Sequence, residues 1–310
     1  MTHLITLIVP VYNEAPIIRT NLKVILDAAA GDWYTLELIA VDDGSDDNTA
    51  VQIASAAAAD PRIHMISFTR NFGKEAAIHA GLSHARGEAA IILDCDLQHP
   101  PQLVPLMLNI WRQGVPVVEG VKAYRGNEAL HDSLFARGFY ALFHRLAGLD
   151  IKGHSDFKLL DRMVIDAYLA FPERNRFFRG IIGWANYPSA NVPFSVLDRT
   201  GGTTQWSKWK LLHYAINNIT SFSSLPLKLV SYLGLFTLIF GVIIGAISLF
   251  QKFEGRALDG FTTVNLLIIV MSSAILLSLG IIGHYLGRLY EEVKGRPSYL
   301  IKPMKEPPHE

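Results

Sequence analysis

Ala89-Ala-Ile-Ile-Leu-Asp94-Cys-Asp-Leu-Gln98 is the stretch from which the architecture can be worked out. Five apolar residues are too few for a stable helix, and two carboxylates follow them at once. This reads as a short strand, buried on both faces, that opens into a polar loop at its carboxyl end. The pattern recurs upstream. Leu4–Val9 runs into Pro10-Val-Tyr-Asn-Glu14, and Leu36–Val41 runs into Asp42-Asp-Gly-Ser-Asp-Asp47. His64–Phe68 and Val115–Val118 read as further strands. Ala15–Ala29, Asn48–Ala59, Lys74–Ala85 and Pro101–Gln113 read as helices between them. Strand and helix in alternation predict an α/β fold with a mainly parallel sheet and helices on both faces. Ligands of such sheets bind beyond the carboxyl ends of the strands, where the polar residues of this chain gather.

Asp94 and Asp96 are two apart at a strand end, so a strand or its following turn brings both to one site. A close carboxylate pair repels itself, and a hard divalent cation relieves that repulsion. Mg²⁺ or Mn²⁺ with oxygen ligands keeps positions open for substrate phosphates. A solvated turn would show the same Asp-x-Asp, but the apolar strand before it and the acidic strand end upstream favour the cation. Cys95 between them reads as a small space-filler. Asp42-Asp43-Gly44-Ser45 fits a turn and helix cap. Equally, an Asp there could accept hydrogen bonds from a base N–H or a ribose hydroxyl. Neither Gly-x-x-x-x-Gly-Lys nor Gly-x-Gly-x-x-Gly occurs, which removes the P-loop and dinucleotide readings.

The rest of the 310 residues is unevenly apolar. Half are hydrophobic and 18% are charged, with a mean hydropathy of +0.25. Lys+Arg and Asp+Glu are both 28, so no basic field points to nucleic acid. A single cysteine excludes an intramolecular disulfide and a cysteine-cluster metal site. The N-terminus has neither a basic region nor a cleavage site, so no signal peptide is expected. Leu229–Phe250 and Val264–Gly283 are free of charge over 22 and 20 residues. At about 1.5 Å per residue each is long enough for a hydrocarbon core of roughly 30 Å. The short loop between them makes a hairpin. Lysines and arginines crowd its outer flanks, so the positive-inside rule puts both termini and the sheet domain in the cytoplasm. Leu212, Ile216, Ile219 and Phe222 recur at helical spacing among Trp206, Trp209 and several lysines, as in an interfacial amphipathic helix. The expected divisions are a sheet domain over 1–204, interfacial helices over 205–228, a transmembrane hairpin over 229–287 and a cytoplasmic tail over 288–310.

Taken in order, these blocks resemble glycosyltransferase family 2, and within it the polyprenyl-phosphate glycosyltransferases. The blocks are Ile8-Val-Pro-Val-Tyr-Asn-Glu14, Val41-Asp-Asp-Gly-Ser45, Arg70-Asn-Phe-Gly-Lys74, Asp94-Cys-Asp-Leu-Gln98, Ser155-Asp-Phe-Lys, Arg174-Asn-Arg-Phe-Phe-Arg179 and the segment Tyr285–Tyr299. The resemblance implies a GT-A fold and inversion at the anomeric carbon. It implies that Pro10, Tyr12, Glu14, Asp43 and Lys74 hold the nucleotide. Asp94, Asp96 and Gln98 would serve the metal and diphosphate, and Asp156 the transfer step. By weaker local matches, Lys122, Arg137 and Arg199 would hold the acceptor phosphate. In the block after Arg199, Gln205 stands where the family has lysine. His99 and His154 read as neutral surface variation.

An acceptor monophosphate has a second pKa near about 6, so at neutral pH it is a ready nucleophile. The harder task is to hold two phosphate groups together, which a metal and a basic clamp would do. Asp156 would orient the reacting groups or take a last proton. The expected reaction is sugar transfer from a nucleotide sugar, UDP-glucose favoured, to a polyprenyl phosphate in the inner membrane. A homo-oligomer fits a lone hairpin. Two alternatives remain. Gln205-Trp-Ser-Lys208-Trp209 resembles the Gln-x-x-Arg-Trp motif of processive polysaccharide synthases, and a non-catalytic nucleotide-binding scaffold would retain the same fold.

Overall fold

The computed structural model describes residues 2–122, 154–174, 176–195, 225–253 and 261–303. The chain divides into two compact units, 1–206 with 297–310, and 207–296. In the first unit β1 (His3–Val11), α1 (Ile18–Ala28), β2 (Tyr34–Asp42), α2 (Thr49–Ala59), β3 (Ile63–Ser67), α3 (Lys74–His84) and β4 (Ala89–Ile92) alternate. A short 3₁₀ turn, Pro101–Leu103, leads into α4 (Val104–Arg112) and β5 (Val117–Lys122). Then come β6 (His154–Asp161), α5 (Arg162–Ala170), α6 (Phe178–Ala185) and β7 (Ser189–Phe194). The strands form one sheet in the order β3-β2-β1-β4-β6-β5-β7. Among the described strands, only β6 runs antiparallel to its neighbours β4 and β5.

The strands are short and apolar because both faces are covered. Ile5, Leu7 and Val9 of β1 pack with Leu36, Leu38 and Ala40 of β2, beneath Ile18, Leu22 and Ile25 of α1 and Met107 and Leu108 of α4. On the opposite face α3 lies over β1 and β2 and buries Ala77, Ile78 and Leu82. Each fully buried aliphatic side chain contributes about 1.5–3 kcal/mol relative to exposure, so β1 is fixed in register from both sides. Val11 pairs with Asp42, and Ile8 pairs with Ile39 and Ile92. The polar loops after β1, β2 and β4 therefore emerge at one edge.

The tail departs from the predicted division. Residues 297–310 belong to the sheet unit. Ile301 bridges Phe68 in antiparallel fashion. The Thr69 N–H donates to the Leu300 carbonyl at 3.0 Å, and the Lys302 N–H donates to the Ser67 carbonyl at 2.7 Å. Tyr299 stacks on Phe68 with 5.0 Å between ring centroids. The tail thus pairs with Ser67, Phe68 and Thr69 at the carboxyl end of β3, backbone that an edge strand would otherwise leave unpaired there.

The second unit contains α7 (Leu225–Phe253) and α8 (Phe261–Val293), which pack against each other. Both are long and apolar enough to cross a membrane, with mean hydropathies of 2.3 over Val230–Ile247 and 2.2 over Leu267–Val293. Phe236 is 65% exposed and Leu276 69%, an arrangement that water would disfavour and lipid would not. The predicted interfacial helix falls outside the described residues except for 225–228, which open α7.

Candidate active site

The loops after β1 and β2 are stitched together by side chains. Asn13 adopts a left-handed conformation, with φ of 56°. There its N–H donates to Ser45 Oγ at 3.0 Å, and its Oδ1 accepts the Asp46 N–H at 2.9 Å. The Glu14 N–H donates to Thr49 Oγ1 at 2.8 Å. Gly44 also has positive φ, 66°, and a Cβ there would collide with the backbone of Arg70. Glycine at this position lets the loop after β2 lie directly on the loop before α3. Pro10 is a buried strand residue opposite Val41, and Tyr12 is 42% exposed above this surface.

Asp43 organises the next loop. It is 4% exposed. Its Oδ1 accepts the Phe72 N–H at 2.7 Å, and its Oδ2 accepts the Gly73 N–H at 2.9 Å. Burial, with Asp42 alongside, raises its pKa above the usual aspartate value despite those two donors. The held loop delivers Lys74 to the first position of α3. Lys74 Nζ lies 2.5 Å from Asp94 Oδ1 and 2.9 Å from Asp156 Oδ2.

Asp94 and Asp96 follow β4. Burial works against the Asp94 charge, but Lys74 outweighs it and keeps the carboxyl below the normal range. Asp96 is exposed and its Oδ1 accepts the Gln98 N–H at 3.0 Å. Leu97 between them has φ of 59°, a conformation that costs a side-chain-bearing residue about 1–2 kcal/mol. Cys95 is buried, its carbonyl accepts from Asn21 Nδ2 at 2.8 Å, and burial pushes its thiol pKa well up. It packs as the expected space-filler. His99 corrects the surface reading: it is 5% exposed and stacks on Phe157. The Asp94 N–H donates to His99 Nδ1 at 3.1 Å. That nitrogen therefore carries the lone pair, and the 3.4 Å approach of Asp94 Oδ2 to it is not an ion pair.

Asp156, on β6, is 6% exposed and faces two cations. Arg179 grips it as a fork, Nε to Oδ1 at 2.6 Å and Nη2 to Oδ2 at 3.0 Å, while Lys74 takes Oδ2. Burial would raise the pKa of Asp156, but the Arg179 hydrogen bonds and the charges of Lys74 and Arg179 outweigh it. They hold the carboxyl far below the usual range. Glu75, next to Lys74, accepts the Phe178 N–H at 2.8 Å and so anchors the start of α6, where Arg179 sits. Burial and the nearby Asp156 raise Glu75 to about 7.

The structure thus brings Lys74, Asp94 and Asp156 together, with Asp96 and Gln98 on the same loop. Of the residues grouped by sequence as nucleotide-binding, Lys74 is the one that contacts Asp94 and Asp156. Lys122 closes β5 opposite Phe194, but its side chain lies outside the described residues, as do Arg137 and Arg199 entirely. His154 opens β6, and its side chain is also outside the described set. Arg179 carried no role by sequence. Its block, Arg174–Arg179, was the signal available.

This seven-stranded, mainly parallel sheet with its acidic carboxyl edge has named relatives. A bactoprenol glucosyl transferase derived from a Shigella flexneri prophage is 35% identical over 300 residues, 96% of this chain and 97% of that protein. An uncharacterized glycosyltransferase of Synechocystis is 35% identical over 303 residues, 97% of this chain and 95% of that protein. Among solved structures, mannosyl-3-phosphoglycerate synthase from Rubrobacter xylanophilus aligns at a TM-score of 0.49 and 18% identity, over 71% of this chain and 73% of that one. The sequence profile of glycosyl transferase family 2 matches residues 6–169, from β1 through α5, and the chain is a transferase belonging to that family.

Proposed function

We propose that this glycosyltransferase moves a glucosyl residue from UDP-glucose to a polyprenyl phosphate at a membrane surface, with inversion at the anomeric carbon. The observation that carries the reading is the reach of its kinship. The 300 residues shared with the Shigella flexneri bactoprenol glucosyl transferase cover 96% of this chain, apolar helices included. The lipid tail of the acceptor then stays in the bilayer that α7 and α8 are long enough to cross. The tail segment joins the unit that precedes α7, which supports a hairpin with both flanks on one side of the membrane.

A divalent cation, Mg²⁺ or Mn²⁺, fits Asp94 and Asp96, two hard carboxylates at one strand end with Asp94 held ionised. Among the described residues no group of three or more His, Cys, Asp or Glu could hold a metal. Gln98, water and the donor phosphates would complete such a site. Bound there, the cation supplies charge neutralisation of the departing diphosphate. The protein's own groups do the rest. A phosphate oxygen of the acceptor attacks the anomeric carbon, the bond from that carbon to the diphosphate oxygen breaks, and UDP leaves with the electron pair. A dianionic acceptor needs no deprotonation, and an Asp156 committed to two cations is a weak proton acceptor. Asp156 therefore orients Lys74 toward the diphosphate side. Pro10, Tyr12, Glu14 and Asp43 frame the nucleotide.

The test is a donor screen with purified protein and undecaprenyl phosphate in vesicles, read by mass. UDP-glucose should give a lipid-linked hexose. A polymer without lipid acceptor, or turnover with another nucleotide sugar alone, would overturn the reading.

A further inference from the structure

Asp156 is held from two directions by groups that are themselves tied together. Lys74 comes from the first position of α3, and Arg179 from the first turn of α6. Glu75, the next residue on α3, accepts the Phe178 N–H at the start of α6. The connections form a closed ring, Asp156 to Lys74, along the chain to Glu75, across to Phe178, along to Arg179 and back to Asp156. In such a ring no member turns without moving the others. A planar guanidinium bound through two of its nitrogens also fixes the plane of the carboxylate, which a point charge cannot do.

We propose that Arg179 is a positioning residue of the transfer step: its fork on Asp156 fixes the orientation in which that carboxylate presents Lys74 to the donor. This rests on the transfer reading above. It adds a residue to which the sequence assigned no function. It also states how that residue acts, through Asp156 rather than on the sugar or the phosphates. An Asp156 that loses the fork still attracts Lys74 but no longer fixes where Lys74 points. The cost then falls on turnover, because misplacement is felt most where bonds are changing. Donor capture at the β1–β2 edge is spared.

A double-mutant cycle tests this. Arg179→Gln should lower kcat by roughly 10- to 100-fold with donor KM within about threefold. Arg179→Lys keeps the charge without the fork and should recover part of the loss. In the Asp156→Asn background, Arg179→Gln should cost less than about threefold more, since the partner it acts through is already altered. Circular dichroism and thermal melting confirm that each protein is folded, and Arg179→Lys carries the cycle if Arg179→Gln is not. A further tenfold loss in the Asp156→Asn background overturns the proposal, because Arg179 would then touch substrate or support the fold independently. Normal turnover of Arg179→Gln, or a rise in KM alone, overturns it too. The same proteins are also assayed for UDP release from UDP-glucose into water with no lipid present. If wild type fails to glycosylate undecaprenyl phosphate, the acceptor reading falls, while the order of the variants in hydrolysis still judges Arg179.

Discussion

Asp43, just after β2, and Asp156, near the start of β6, are both buried carboxylates, and they are stabilised by opposite means. Asp43 is met by neutral donors, the Phe72 and Gly73 N–H groups, and its pKa is raised. Asp156 is met by the full charges of Arg179 and Lys74, and its pKa is lowered. Backbone donors fix the path of a loop, and Asp43 fixes Phe72 and Gly73 just before α3. Cations fix a charge distribution, and Asp156 sits between two of them. The linkage signs are opposite. Asp156 adds stability above the usual aspartate pKa of about 3.9, and that stability is lost as pH falls through its lower folded value. Asp43 behaves in reverse: its contribution is present in acid and declines as pH rises through its raised value.

The largest effects fall on the charged side of this contrast. We expect Asp94→Ala or Asp96→Ala to abolish divalent-dependent donor binding, measured by calorimetry with and without EDTA, while fold and membrane insertion persist. Full activity in EDTA with either variant would remove the cation from the site. Next comes Asp156→Asn, which keeps the size of the side chain but releases both cations. Turnover should fall by about 10²-fold, the scale of a misplaced reacting group, with nucleotide-sugar affinity nearly unchanged. In the proposed transfer the acceptor phosphate is the nucleophile, so the acid limb of kcat against pH should stay near its second pKa of about 6 in wild type and variant alike. If that limb disappears in Asp156→Asn, Asp156 is a proton acceptor after all.

Asp43→Asn probes the neutral side and should do less. One of the two N–H donors it now satisfies would face an amide NH₂, at a cost of about 1–3 kcal/mol for a buried unsatisfied group. The loop before Lys74 loosens. Donor affinity should weaken by about tenfold while kcat changes less, the converse of Asp156→Asn. Equal losses in both variants would erase the distinction between the two regions.

Much of this was legible in the sequence, for a reason that also explains what was not. Short apolar runs ending in polar clusters fixed β1, β2 and β4 to within a residue or two, because burial on both faces leaves little else that such runs can be. Asp94 was singled out by its Asp-x-Asp spacing and Asp156 by resemblance, and the structure sets both beside Lys74. The features that escaped depend on contacts between distant segments. His99 follows the Asp-x-Asp loop and looks exposed, yet Phe157 of β6 and Phe194 of β7 cover it. Lys74 ends the Arg70–Lys74 block, and its reach to Asp94 after β4 and to Asp156 on β6 is a contact that the block alone does not show. The Tyr299–Lys302 pairing is too short to show any strand period. Its partner is an edge strand more than two hundred residues upstream, separated from it by both apolar helices.

Glu75 offers the finest division between the two regions, since it lies beside Asp156 but, like Asp43, accepts from a backbone N–H. Burial first, and then the charge of Asp156, raise it from 4.5 to about 7, against the opposing pull of Arg179 and Lys74. A raised folded pKa means that the native state binds more protons than the unfolded chain between those values. The stability it contributes is therefore complete below about pH 4.5 and lost as pH rises through about 7. Glu75→Gln keeps an oxygen for the Phe178 N–H and removes the ionisation. We expect wild-type melting temperature to fall between pH 5 and pH 7.5 by more than that of Glu75→Gln, the curves lying closest at the acid end. Turnover of Glu75→Gln at pH 7.5 should stay within a few-fold of wild type, because the anchor on α6 survives. Parallel melting curves would mean that Glu75 is already charged in the folded protein, with Arg179 and Lys74 outweighing Asp156. The ring around Asp156 would then hold one more charge than its hydrogen bonds require, and the contrast with Asp43 would rest on charge alone rather than on how each carboxylate is held.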